Sequence, residues 1–260
     1  MLQNVTFIAI LTKQKTLYTC VVYKVFRMNI SPINSINFGW HINTHTAVTE
    51  KAAENLKMLS KKEIKKLGKF SQMPDLIKEE LKDLNSGHFY DVFSKDSSYG
   101  MMDEDTNNAF SKFLSHTQTA LKQKDRDNFL RYVGYASHYL QDASTPPHAE
   151  HGNYFHKLYR LPMHMMFEKG KINGANSRLE EFAKGYTEEN LSYPNLETLF
   201  HNTALHSVRK ENKVGYDNIK DWKNIQQRSY NRSVNATKVY LEHMLKYLPE
   251  ETAKKIDTVS

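Results

Sequence analysis

From residue 40 onward, apolar residues recur every three or four positions and almost nowhere alternate with polar ones. That spacing lines one face of an α-helix, whereas strict alternation would line one face of a strand. It predicts helices over Pro74–Leu84, Asn107–Leu121, Asp125–Asp142, Pro162–Lys184 and Tyr216–Tyr247. They are preceded by a segment in which Ala47, Ala52, Leu56 and Leu59 share a face behind a cap at Asn43 or Thr44. The expected fold class is therefore all-α, a single compact multi-helix domain. Asn85–Asp105 and Ala143–Leu161 are polar or rich in Pro, Gly and aromatic residues, so they are expected to be loops, which commonly present sites on a helical scaffold.

Residues 1–39 break the pattern. Val5–Leu11 and Leu17–Tyr23 are apolar runs separated by Lys13 and Lys15. Neither approaches the roughly 20 residues that span a bilayer, so no transmembrane segment is expected. As a secretory signal the leader is weak. Cleavage near Gly39, which would make Trp40 the mature N-terminus, is one reading, and initiation at Met28 is the other.

Composition narrows the classes. With 39% apolar and 12% aromatic residues in 260, the chain has enough material for one sizeable core and little for a second. The division expected is a leader, 1–39, and one catalytic domain, 40–260. The formal charge of +7 misleads, because Lys13, Lys15, Lys24 and Arg27 carry more than half of it. Beyond residue 39 there are 32 basic against 29 acidic residues, a net of +3, which gives no electrostatic footprint for nucleic acid. The single cysteine, Cys20, also lies in the leader, so a metal bound by the body must take histidine nitrogen and carboxylate oxygen.

Such ligands are concentrated in one region. Of the twelve histidines, five fall between His138 and His164. His138 and Asp142 in 138-HYLQD-142 are four apart, as are His164 and Glu168 in 164-HMMFE-168, and on a helix each pair projects from one face. Between them, beyond Pro146-Pro147, stands His148; His151 and His156 are its alternatives by spacing. His116, His201, His206 and His243 have no such company and read as ordinary surface or core histidines.

The ordered set Trp40, His45, Asp75, His88 in 87-GHFYD-91, His138, Asp142, His148, His164 and Glu168 resembles the bacterial zinc-dependent phospholipase C family, which includes the catalytic domain of clostridial alpha-toxin. The match runs from Trp40 to about Tyr247. It implies an all-α fold around a trinuclear zinc site. In that reading Asp75, His88, His138 and Asp142 hold one Zn²⁺, and Asp142 bridges to a second, which is also bound by His45 and the free amino group and carbonyl of Trp40. His148, His164 and Glu168 hold the third. Imidazole and carboxylate suit zinc, at about 2.0–2.2 Å.

What the resemblance implies about activity is a phosphodiester hydrolase, acting on phospholipid at a membrane or micelle surface as a secreted monomer. Asp75 is the candidate general base. On local sequence alone, Pro74-Asp75 reads instead as a helix start favoured by the helix dipole. Phe89, Tyr90, Phe93 and Tyr99 could offer aromatic faces to a choline-like head group, or simply pack. Zinc-dependent single-strand nucleases share the metal architecture and are the alternative. Glu168 following an aromatic residue, and a body without cysteines, favour the lipase. A third reading is a zinc-binding homologue without catalysis, in which the leader stays attached to Trp40. After Tyr247 only 248-LPEETAKKIDTVS-260 follows, so the toxin's lipid-binding β-sandwich is not expected, nor is strong haemolysis.

Overall fold

Ser60 caps the helix that begins at Lys61. In the computed structural model its amide N donates to Glu63 Oε2 (2.9 Å), and the Glu63 amide N donates back to Ser60 Oγ (3.3 Å). This reciprocal capping box satisfies two of the amide donors a helix start leaves unpaired. The structure describes residues 42–76, 88, 90, 92, 106–149, 175–212, 214 and 220–249. All of them belong to one compact unit, 37–260.

Among these residues the elements, in order, are α1 (Ile42–Ala53), α2 (Lys61–Leu76), α3 (Thr106–Lys122), α4 (Arg126–Ala143), α5 (Pro146–Ala149), α6 (Ala175–Lys184), α7 (Leu196–Ser207), a 3₁₀ turn (Lys210–Asn212) and α8 (Trp222–Leu245). No described residue lies in a strand. The all-α expectation holds, with α3 and α4 close to their expected bounds. Asp125 caps α4 by accepting from the Asn128 amide N at 3.0 Å.

Three expectations are corrected. Asn43 and Thr44 lie within α1 and do not cap it. Leu56 and Leu59 fall beyond α1 in the turn before α2, though Leu59 still reaches the core. Pro74 does not start a helix but sits two residues before the end of α2. A proline that close to a helix end forfeits one backbone hydrogen bond and leaves little helix beyond it to disrupt. Residues 77–87 lie outside those described. The α7 helix, capped by Asn195 accepting from the Thr198 amide N (2.8 Å), was not expected.

The centre of the fold is α4. From Val133 to Ala143 every residue is buried, so this half of the helix has no solvent face. It packs against α1, α2, α3, α7 and α8. Phe129, Leu130, Tyr139 and Leu140 enter a core shared with Phe110, Phe113, Phe200 and Tyr240. A helix surrounded in this way must satisfy its polar side chains internally. On α4 those include Ser137, His138, Gln141 and Asp142.

Gly134 sets the approach of α4 to α2. A Cβ there would lie 2.5 Å from the Phe70 Cβ and 3.2 Å from the Leu67 carbonyl oxygen. Gly134→Ala is therefore expected to destabilise the protein by about 1–3 kcal/mol, because the helices must separate and Ala's better helix propensity returns at most about 1 kcal/mol. Thermal unfolding of the purified variant measures this; an unchanged midpoint would show that the contact relaxes freely.

Candidate metal centre

Three separate helices and a loop converge on the buried half of α4. His138 and Asp142 project from α4 one turn apart; α1 contributes His45, the last turn of α2 contributes Asp75, the residue after the undescribed stretch 77–87 is His88, and α5 contributes His148. All six are buried. The turn into α5 follows from its sequence. Thr145 returns both its backbone N–H and its hydroxyl to the Asp142 carbonyl (2.9 Å each). Pro146-Pro147 then cannot continue α4 but can begin a new helical turn, which swings His148 back toward Asp142.

Asp142 is the hub. Its Oδ2 lies 2.8 Å from His88 Nδ1, 3.2 Å from His138 Nε2 and 4.0 Å from His148 Nδ1, while its Oδ1 lies 3.5 Å from His45 Nε2. Asp75 spans the same two rings from the other side, Oδ1 3.8 Å from His138 Nε2 and Oδ2 3.7 Å from His45 Nε2. The His45 and His138 rings are 4.0 Å apart, and His88 meets His138 edge-on at 5.0 Å. Two overlapping sets follow, His45 with Asp75 and His138, and His88 with His138 and Asp142; in each, the donor atoms lie within 4.8 Å of one another.

The second nitrogen of three of these rings is committed. His45 Nδ1 donates to Gln141 Oε1 (2.7 Å), His138 Nδ1 donates to the Ser71 carbonyl (2.9 Å), and His148 Nδ1 donates to the His88 carbonyl. A carbonyl only accepts, so each of these nitrogens carries the proton and leaves Nε2 as a lone-pair donor. The last of these contacts ties two parts of the site together, because the Tyr90 amide N also donates to the His148 carbonyl (2.7 Å). No residue-by-residue signal in the sequence marked Gln141, Ser71 or the His88 carbonyl for this work, although Gln141 adjoins Asp142 on a fully buried helix.

Electrostatics agrees with a cation site. Burial raises the Asp142 pKa, but the imidazoles of His138, His148 and His88 outweigh it and hold the carboxyl well below its usual range. Burial disfavours charge on His138, yet Asp142 and Asp75 reverse the balance and raise its pKa. At His88 burial wins and the pKa falls. Asp75, in the final turn of α2, faces the negative end of the helix dipole, the opposite of the helix-start reading. Concentrating carboxylates and imidazoles in a buried site is costly unless something compensates them. The Asp142 Oδ1, buried and accepting no hydrogen bond among the described residues, faces this space. Nitrogen and oxygen donors in overlapping sets suit zinc.

Of the expected ligands, His45, Asp75, His88, His138, Asp142 and His148 are brought together; Trp40, His164 and Glu168, with His151 and His156, lie outside the described residues. Tyr90 is buried against Phe200 (5.3 Å, edge-on), and its hydroxyl is 2.9 Å from His201 Nδ1. It packs in the core and offers no open face to a head group; Phe89, Phe93 and Tyr99 are not described. The other described histidines lie outside this cluster. His206, pushed down to about 4 by burial and by Arg232 and Arg209, stays neutral, while His116 stacks on Tyr132 and His243 lies edge-on to Tyr247.

Solved structures similar to the chain include the alpha toxin of Clostridium absonum, at 19% identity and a TM-score of 0.62, with 82% of this chain and 67% of that chain covered. They also include the Clostridium perfringens alpha-toxin from avian strain SWCP, at 18% identity and a TM-score of 0.52, covering 82% of this chain and 64% of that one. At these identities the likeness is one of fold, and the chain spans about two thirds of each toxin's length. No curated protein matches the chain. The family described as "Zinc dependent phospholipase C" matches residues 44–237, a span that contains the six clustered residues together with His164 and Glu168, and the chain belongs to that family.

Proposed function

We propose that the protein hydrolyses glycerophospholipids to diacylglycerol and a phosphorylated head group, at a centre built from His45, Asp75, His88, His138, Asp142 and His148. The observation that carries this reading is Asp142, whose two oxygens face different imidazoles, Oδ1 toward His45 and Oδ2 toward His88 and His138. A carboxylate so placed suits a bridge between two ions. His164 and Glu168, four residues apart in the sequence, would complete a third centre with His148, and Trp40 would add its terminal amine to the His45 site once the leader is removed. Residues 40–260 would then form the mature, secreted, monomeric enzyme. Among the described residues no helix is long and apolar enough to cross a membrane.

Zinc, when bound, lowers the pKa of water toward neutrality and offsets charge on phosphoryl oxygens. The chain's own residues do the rest. Asp75, Asp142 and Glu168 would offset three of the six positive charges of three divalent ions, and the remaining +3 would attract an anionic phosphodiester. Asp75 takes or aligns the proton of the attacking water through whichever oxygen faces it, as the water oxygen bonds to phosphorus. The bond from phosphorus to the glycerol oxygen breaks, and that oxygen takes up a proton, the one Asp75 received from the water or one from solvent, and leaves as the hydroxyl of diacylglycerol. Burial of the ligands keeps bulk water from competing for them.

Two measurements test this. Metal analysis of dialysed, processed protein is expected to give about three zinc ions per chain; one ion would defeat the three-site arrangement. Phosphocholine release from phosphatidylcholine micelles is expected to exceed digestion of single-stranded DNA, and the reverse order would identify a nuclease.

A further inference from the structure

We infer that Gln141 is a positioning residue that holds His45 in the tautomer and orientation needed to bind metal. This rests on the reading of His45 as a ligand, and reaches one shell further out. Gln141 is wholly buried on α4, between His138 and Asp142 on one side and α1 and α8 on the other. Its Oε1 accepts from His45 Nδ1 at 2.7 Å. Its Nε2 donates to Thr49 Oγ1 at 2.8 Å and to Thr237 Oγ1 at 3.3 Å.

The structure turns the amide nitrogen toward the two threonine hydroxyls, which accept from it, and the amide oxygen toward His45. An amide oxygen only accepts, which fixes the His45 proton on Nδ1 and directs the Nε2 lone pair at Asp75 and Asp142, 3.7 Å and 3.5 Å away. Thr49 lies one turn after His45 on α1, so the same helix that presents the ring also anchors the group that orients it.

The choice of glutamine has a second consequence. A carboxylate here would also accept from His45, but it would add a further negative charge beside Asp75 and Asp142. The neutral amide orients the ring and leaves the site's attraction for an anionic phosphodiester intact.

The test is zinc affinity by chelator competition on the full, processed protein, alongside steady-state kinetics. Gln141→Met keeps the side chain's size and removes the acceptor. It is expected to release one zinc about 10–100-fold more readily than wild type while the other ions stay bound, the loss typical of an outer partner to a ligating imidazole. Gln141→Glu restores the acceptor and is expected to hold zinc at least as tightly as wild type, with a raised KM for the anionic substrate. A Gln141→Met protein that holds every zinc as wild type does would reduce Gln141 to a packing residue. If Gln141→Met does not fold, Thr49→Val asks the same question, since it leaves the amide but removes the nearer hydroxyl that orients it. Weaker zinc supports the inference, and unchanged affinity overturns it. Wild type that binds no zinc would instead remove the metal centre itself, and this inference with it.

Discussion

Asp142→Asn is expected to abolish turnover and to lower zinc content by more than one equivalent, with the helical circular dichroism unchanged. The substitution keeps the shape of the side chain and replaces one carboxylate oxygen by an N–H₂ group. Both oxygens are in use: Oδ2 sits 2.8 Å from His88 Nδ1 and 3.2 Å from His138 Nε2, and Oδ1 sits 3.5 Å from His45 Nε2. Whichever way the amide turns, it puts hydrogen-bond donors in place of a ligand oxygen, either beside His45 or beside His88 and His138. It also removes a negative charge from beside every cation it would bridge. The loss should exceed the roughly 10–100-fold that follows removal of an outer partner. His243→Ala, at an exposed histidine edge-on to Tyr247, serves as the control and should leave turnover unchanged. Retention of all the zinc by Asp142→Asn would show that Asp142 does not bridge.

The parts of this site that could be read along the chain are those that one helix encodes. His138 and Asp142 share a face because four residues make one turn, and Asp125 announces α4 because its side chain caps it. What could not be read depends on distant partners. His88 joins the site through Asp142, fifty-four residues on, and through the Tyr90 N–H to the His148 carbonyl. Gln141 looked like one more polar residue on an amphipathic helix, because periodicity along α4 cannot report that α1, α2, α3, α7 and α8 leave no open side. The start of α2 is marked in the sequence only by the capping box of Ser60 and Glu63, since the lysine-rich turn that follows offers little apolar periodicity and Pro74 stands near the other end. The resemblance supplied Asp75 where local sequence pointed elsewhere.

Asp75→Asn is expected to cut turnover by roughly 10²–10⁴, the contribution of a general base, while much of the zinc remains. The stability of the metal-free protein separates this from any structural role. Were Asp75 a helix-starting acid, its replacement would cost about 1 kcal/mol of stability and leave activity nearly intact. But Asp75 occupies the last turn of α2, where a negative charge opposes the helix dipole and where it lies buried between the Nε2 atoms of His45 and His138. Neutralising it removes an unfavourable dipole interaction of about 0.3–1 kcal/mol and the cost of burying a charge. Against this stands the loss of its attraction to His138, which is one cause of that imidazole's raised pKa. Above the range in which His138 is protonated, that attraction fades and the first two effects dominate. At a pH above that range and with chelator present, Asp75→Asn should therefore melt at or above the temperature of wild type, and with zinc restored it should be nearly inactive. Thermal unfolding and turnover on the same preparation decide the matter: an active variant that melts lower would return Asp75 to a structural part and leave the attacking water without its base.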